Sequence, residues 1–136
     1  MKKYTGIWVD HKKAFMVLIT GEEETCTIIE SNVEGHIRLS GGSRSSTPYG
    51  PQDVSSERKI DERRKHQLKR YYEEIIRSIK DAQKILIFGP GEAKNELRKE
   101  MEKKKKLSGK IVGIEPADKM TEKEIRAKVK YFFPAT

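Results

Sequence analysis

The chain has 136 residues, the size of one domain, so residues 1–136 are read as a single unit with no room for a second lobe. Charged residues (37%) outnumber apolar ones (35%), yet the apolar residues gather in patterned runs, which excludes a disordered polyampholyte. Lys and Arg number 29 against 21 Asp and Glu, and the resulting +8 must be carried on the folded surface, where it attracts polyanions.

Residues 5–10, 14–20 and 24–30 are rich in β-branched and aromatic side chains and read as three strands. The polar links Asp10-His11-Lys12-Lys13 and Gly21-Glu22-Glu23 are short, so these strands pair antiparallel as a meander. The middle strand is apolar from Ala14 to Ile19 without alternation, which predicts cover on both faces. Residues 33–56 change character. Gly35, Gly41, Gly42, Gly50, Pro48, Pro51 and seven serines or threonines make a long Gly/Ser-rich loop, with a short strand at His36-Ile37-Arg38-Leu39. A loop of that length inside a domain is either functional or disordered.

A helix is predicted from about Glu57 to Lys80, because Leu68, Tyr71, Tyr72, Ile75, Ile76 and Ile79 recur at spacings of three and four and form one apolar stripe. Its first half differs. Between Glu57 and Arg70, seven Lys or Arg face only Glu57, Asp61 and Glu62, and Ile60 and Leu68 are the only apolar residues. That half is expected to project into solvent or onto a partner. The remainder alternates: strand Ile85–Phe88, turn Gly89-Pro90-Gly91, helix Glu92 to about Lys105, strand Lys110–Ile114, helix Glu122–Phe133. Thr121 and Glu124 form a capping box for the last helix, Met120 and Ile125 a hydrophobic staple, and Pro134 stops it. A meander followed by αβαβα predicts a three-layer α/β/α fold around a mixed sheet, the ribonuclease H-like arrangement.

Asp10 and His11 interrupt the first apolar run before a signal sequence forms, and no run approaches the ~18 residues of a membrane span, so a cytoplasmic protein without membrane contact is expected. Cys26, the one cysteine, has no partner for an intramolecular disulfide and reads as a buried or half-buried strand thiol. His11, His36 and His66 lie too far apart for metal-ligand spacing, and neither a metal nor a cofactor is expected. Gly89-Pro90-Gly91 resembles a phosphate-cradling turn but lacks the third glycine or the Gly-Lys-Ser/Thr that would make it one, so an ordinary strand-to-helix turn is the better reading.

The basic residues concentrate in four places: Arg38, Arg44, the run from Arg58 to Arg70, and Arg98 to Lys110, where seven cations face Glu100 and Glu102. Lys and Arg placed on phosphates supply salt-dependent nucleic-acid affinity. Ser40-Gly41-Gly42-Ser43-Arg44-Ser45-Ser46 presents backbone N–H groups free of side-chain bulk between cations, which suits insertion into an anionic RNA cavity. On chemistry alone a loop whose glycines only supply turns fits equally well.

Taken together these residues resemble the middle domain of the archaeal and eukaryotic class I peptide release factors and of their relative Pelota. Gly6-Ile7-Trp8-Val9-Asp10 with Lys12-Lys13-Ala14 is similar to the family's opening hairpin. His36-Ile37-Arg38-Leu39-Ser40-Gly41-Gly42-Ser43 falls where the factors carry a basic stretch and a Gly-Gly-Gln loop. Arg63-Arg64-Lys65-His66, then Ile85 to Gly89 with Lys94, Glu96 and Leu97, then Lys110 to Ile114, follow in the same order. In the release factors the Gly-Gly-Gln loop enters the peptidyl transferase centre and positions a water to hydrolyse peptidyl-tRNA. The resemblance places Gly41 and Gly42 on the glycines and Ser43 where glutamine is required. Pelota-like members lack the tripeptide and bind ribosomes without hydrolysis, and domains for decoding or GTPase recruitment are expected to be missing here.

The expectation is therefore a translation-associated protein of rescue, quality-control or hibernation type that binds ribosomal RNA or tRNA without catalysis and without a cofactor, with decoding or GTPase function supplied by a protein partner. Its predicted RNA contacts are His36, Arg38, Gly41, Gly42, Ser43, Arg44, Arg58, Lys59, Arg63, Arg64, Lys65, Lys69 and Arg70. The alternative is a hydrolase: a peptidyl-tRNA esterase using the same loop, with Ser43 as its weak catalytic candidate, or a magnesium-dependent nuclease built on Asp10 with Glu73, Glu74, Glu92 or Glu115.

Overall fold

The computed structural model describes residues 2–32 and 50–133, with the backbone alone over residues 50–60. Strands β1 (Lys3–Val9), β2 (Lys13–Thr20) and β3 (Glu23–Glu30) form the predicted antiparallel meander. Strands β4 (Lys84–Gly89) and β5 (Ile111–Pro116) extend the sheet in parallel beside β1, giving the order β3-β2-β1-β4-β5. Among the described residues four helices cover it: α1 (Gly50–Ser78), α2 (Ala93–Glu102), α3 (Lys105–Ser108) and α4 (Glu122–Phe132).

Successive strand residues point to opposite faces, and here each face has its own core. Ile7, Val9, Ala14, Met16, Ile85 and Ile87 pack under α1, α2 and α3, whose inward residues include Ile75, Ile79, Leu97, Met101 and Leu107. Trp8, Phe15, Val17, Leu86 and Phe88 pack under α4 through Ile125, Val129 and Phe133. The unbroken apolar run of β2 is thus explained, because Ala14 and Met16 serve one core and Phe15 and Val17 the other. Trp8 is almost fully buried, and its indole Nε1 donates to the Asp118 carbonyl at 3.2 Å, tying β1 to the segment that follows β5.

Two boundaries and one burial differ from the sequence pattern. Helix α1 starts at Gly50, not near Glu57, so residues 50–56 are helical and the Gly/Ser-rich connection is shorter than predicted. Pro51 is compatible with this start, since a first-turn proline lacks only an amide that has no intrahelical acceptor. The helix expected through Lys105 breaks after Glu102, with Lys104 extended at φ −103°, ψ 102°. The stripe Ala93, Leu97, Met101 would continue in a straight helix onto lysines, and the break brings Leu107 into the core instead. Cys26 is exposed, not buried. It lies opposite Val17 on the α4 face, but β3 is the edge strand and α4 sits over β1 and β2, so among the described residues most of that face of β3 is left open. The short strand predicted at residues 36–39 lies outside the described residues.

Helix α4 begins as predicted: Thr121 Oγ1 accepts from the Glu124 amide at 3.1 Å and Glu124 Oε1 accepts from the Thr121 amide at 2.9 Å, with Met120 packed on the Ile125 core. It sits unusually close to β1. A Cβ on Gly6 would lie 2.3 Å from Val129 Cγ2, and Val129 is fully buried and has nowhere to go. Gly6→Ala is therefore expected to destabilise the protein by about 1–3 kcal/mol, as overpacking does. In urea unfolding, the double variant Gly6→Ala/Val129→Ala should lose less than the sum of the two single losses.

Candidate nucleic-acid interface

The end of the sheet at which β1 and β4 finish is organised by one turn. Asp10 Oδ1 accepts from the Lys12 and Lys13 amides at 2.8 and 2.7 Å, and the Asp10 amide donates to the Lys13 carbonyl at 3.0 Å. Ser31, just after β3, is fastened to the same turn, its Oγ donating to the His11 carbonyl at 2.6 Å and its amide to the Lys12 carbonyl at 2.8 Å. Asn32 follows in the left-handed region at φ 54°, and residues 33–49 leave from there.

Helix α1 is docked to this turn by two adjacent tyrosines at the top of its buried stripe. Tyr71 donates its hydroxyl to the Asp10 carbonyl at 3.0 Å. Tyr72 donates to Glu96 Oε1 on α2 at 2.7 Å, and the same oxygen lies 3.0 Å from His11 Nε2. Burial and the Asp10 charge push the Tyr71 phenol well above its usual range, and burial with the Glu96 bond does the same to Tyr72, so both stay protonated and donating.

Beyond the tyrosines the burial stripe fades. Leu68 is half-buried, Arg64 is half-buried, and Asp61, Glu62, Arg63, Lys65 and His66 are exposed. From Tyr71 back to Gly50 the helix runs about 31 Å at 1.5 Å per residue. Of the predicted RNA contacts, Arg63, Lys65, Lys69 and Arg70 are exposed on this helix. Arg64 lies on the inward side, close enough to Tyr72 for its charge to bear on the phenol, with its Nε buried and unpaired among the described residues. Arg58 and Lys59 belong to the helix, but their side chains are not described. His36, Arg38, Gly41, Gly42, Ser43 and Arg44 lie outside the described residues.

The carboxylates nominated for a nuclease do not converge. Asp10 Oδ1 is taken by the turn, Glu73 and Glu74 are exposed on α1, Glu92 bonds Asn95 at 3.1 Å, and Glu115 pairs with Lys128 at 2.8 Å on the α4 side. Among the described residues no three His, Cys, Asp or Glu side chains form a metal-holding group, and no helix is long and apolar enough to cross a membrane. In Gly89-Pro90-Gly91 the first glycine serves packing: at φ 148°, a Cβ there would fall 2.2 Å from the Val9 carbonyl oxygen. The Glu96–His11–Tyr72 junction escaped the sequence reading, because its members are 85 and 24 residues apart. The only signal was a pair of hydroxyl-bearing aromatics at the end of an apolar stripe.

No family model and no curated protein matches the chain. Among solved structures it is similar to the archaeal translation termination factor aRF1, at 15% identity and a TM-score of 0.60, over 94% of this chain and 33% of that one. It is also similar to the Pelota protein of Thermoplasma acidophilum (17% identity, TM-score 0.55, 95% of this chain, 32% of that one). A third is Dom34 of S. cerevisiae, described as a translation termination-like factor involved in RNA quality control pathways and interacting with Hbs1 (14%, TM-score 0.50, 91% and 31%). The chain thus spans about a third of the length of these proteins, and it has the fold expected from the resemblance.

Because both phenols are held neutral by burial, their contribution to stability is present below the ordinary tyrosine pKa and is lost as pH rises above about 10. The double variant Tyr71→Phe/Tyr72→Phe should be less stable at neutral pH by about 1–3 kcal/mol, one modest bond being lost at each position. Its stability should also fall less steeply than wild type between neutral and strongly alkaline pH in urea titrations.

Proposed function

We propose that this chain is a translation-associated RNA-binding protein that docks on ribosomal RNA or tRNA and presents the Gly41-Gly42-Ser43 loop to an RNA cavity without catalysing hydrolysis. The observation that carries the reading is helix α1: Tyr71 and Tyr72 fasten its later part to the sheet and α2, and the part that precedes them displays Arg63, Lys65, Lys69 and Arg70 to solvent, adjoining the Gly/Ser-rich segment in sequence. Cations so placed suit a phosphate backbone, and glycine amides suit close approach to one. The fold shared with a termination factor, with Pelota and with Dom34 supports a role in rescue, quality control or hibernation of ribosomes.

The non-catalytic form is favoured because Ser43 is shorter than the glutamine of the hydrolysing loop and has no general base beside it in sequence. On this reading residues 1–136 act as one release-factor middle-domain-like unit in the cytoplasm, needing no cofactor, and a protein partner supplies decoding or GTPase function. Co-sedimentation with ribosomes over a salt series tests it. Wild type should pellet with ribosomes at low and moderate salt, whereas Arg63→Glu/Lys65→Glu/Lys69→Glu, which changes only exposed side chains, should remain in the supernatant at moderate salt. A wild-type chain that stays in the supernatant throughout sinks the reading, and release of peptide from loaded ribosomes would replace it with the esterase.

A further inference from the structure

The fold distributes charge unequally between its two helical layers. On the α4 side, Lys123, Arg126, Lys128 and Lys130 are matched by Glu122 and Glu124 of the same helix and by Glu24 and Glu115 of the sheet, four against four. Three of these cations are held in ion pairs: Arg126 and Lys130 on Glu24 at 3.3 and 2.7 Å, and Lys128 on Glu115 at 2.8 Å. On the other side, α2, α3 and the residues that flank α3 carry the seven cations from Arg98 to Lys110 against Glu100 and Glu102. Arg98 pairs with Glu102 and Lys103 with Glu100, and among the described residues Lys99, Lys104, Lys105, Lys106 and Lys110 have no carboxylate within ion-pair distance.

The lysine run is not a solvated coil. Met101 and Leu107, both buried, pin it at either end. The Lys104 amide donates to the Met101 carbonyl at 2.9 Å, and the Leu107 and Ser108 amides donate to the Lys104 carbonyl at 2.9 and 3.2 Å. Lys103 to Lys106 therefore turn a hydrogen-bonded corner with all four side chains exposed. Holding like charges together on an ordered corner costs stability through repulsion, a cost that bound phosphates would remove. Helices α1 and α2 lie on the same face, and the part of α1 after Tyr71 and the whole of α2 run from the β1–β2 turn toward the opposite end of the sheet, where the corner meets the start of β5.

We infer that the α2–α3 corner, through Lys99, Lys103, Lys104, Lys105, Lys106 and Lys110, is a second RNA phosphate-binding surface, which engages the same RNA-covered partner as α1 and leaves the α4 face turned away. The inference rests on the RNA-binding reading of α1 and adds to it a second contact at the far end of the same layer.

The test is the variant Lys103→Gln/Lys104→Gln/Lys105→Gln/Lys106→Gln, in which glutamine keeps the helix propensity of lysine and circular dichroism verifies the fold. Affinity for purified ribosomes and for an RNA duplex of two helical turns is measured over a salt series. Each lost phosphate contact lowers the slope of log affinity against log salt by roughly 0.7–0.9. The variant should show a slope smaller by about 3 on both probes and at least a tenfold weaker affinity at moderate salt, while Lys123→Gln on the α4 face leaves both unchanged. A wild-type slope in the four-lysine variant overturns the second surface and leaves the reading of α1 standing. A slope reduced on ribosomes but not on the duplex assigns the corner to an acidic protein and overturns the RNA assignment. Absence of wild-type binding to either probe overturns both.

Discussion

The carboxylate of Asp10 is the point from which the functional end of the molecule is built. By accepting from two consecutive amides it closes the β1–β2 turn, and the turn's outward carbonyls then become fixed acceptors for Tyr71 and Ser31. Consecutive residues on a helix point about 100° apart. Tyr71 and Tyr72 therefore reach different partners, one on the turn and one on α2, and together they set both the height and the rotation of α1 against the sheet. Apolar packing alone is non-directional and would fix neither.

Much of this architecture was legible because its signals are local. The β-branched runs of the first thirty residues, the stripe from Leu68 to Ile79 and the Thr121–Glu124 box each depend on neighbours within a turn or two. What was not legible depends on tertiary partners. Alternation in β3 does not say which strand lies at the edge, so Cys26 reads as a buried or half-buried thiol and is a surface one, with its thiol pushed up by partial burial and by Glu24. The break at Lys104 exists because the core needs Leu107, and nothing in the lysine run announces it. At the candidate interface, the exposure of Arg63, Lys65, Lys69 and Arg70 followed from the helical period, whereas the docking of Glu96 on His11 and Tyr72 required the fold itself.

Identities of 14–17% to structures with the same fold fit this division. A sheet with a core on each face requires a pattern more than particular residues, and few positions are sterically fixed. Gly6 beneath Val129 and Gly89 against the Val9 carbonyl are two such positions, and both lie on the paired strands β1 and β4 at the centre of the sheet. The charges are freer to vary, which is how one helical layer can be neutralised from the strands by Glu24 and Glu115 while the other stays cationic.

A 29-residue helix gripped by two tyrosines well past its middle is also a lever. Over the roughly 31 Å from Tyr71 to Gly50, a tilt of about 5° displaces the tip by about 3 Å, on the order of one residue of extended chain. A sub-ångström adjustment at the pivot, well within what side-chain hydrogen bonds absorb, is thereby magnified at the place where the glycine segment joins. The sheet can stay rigid while the tip searches for its fit.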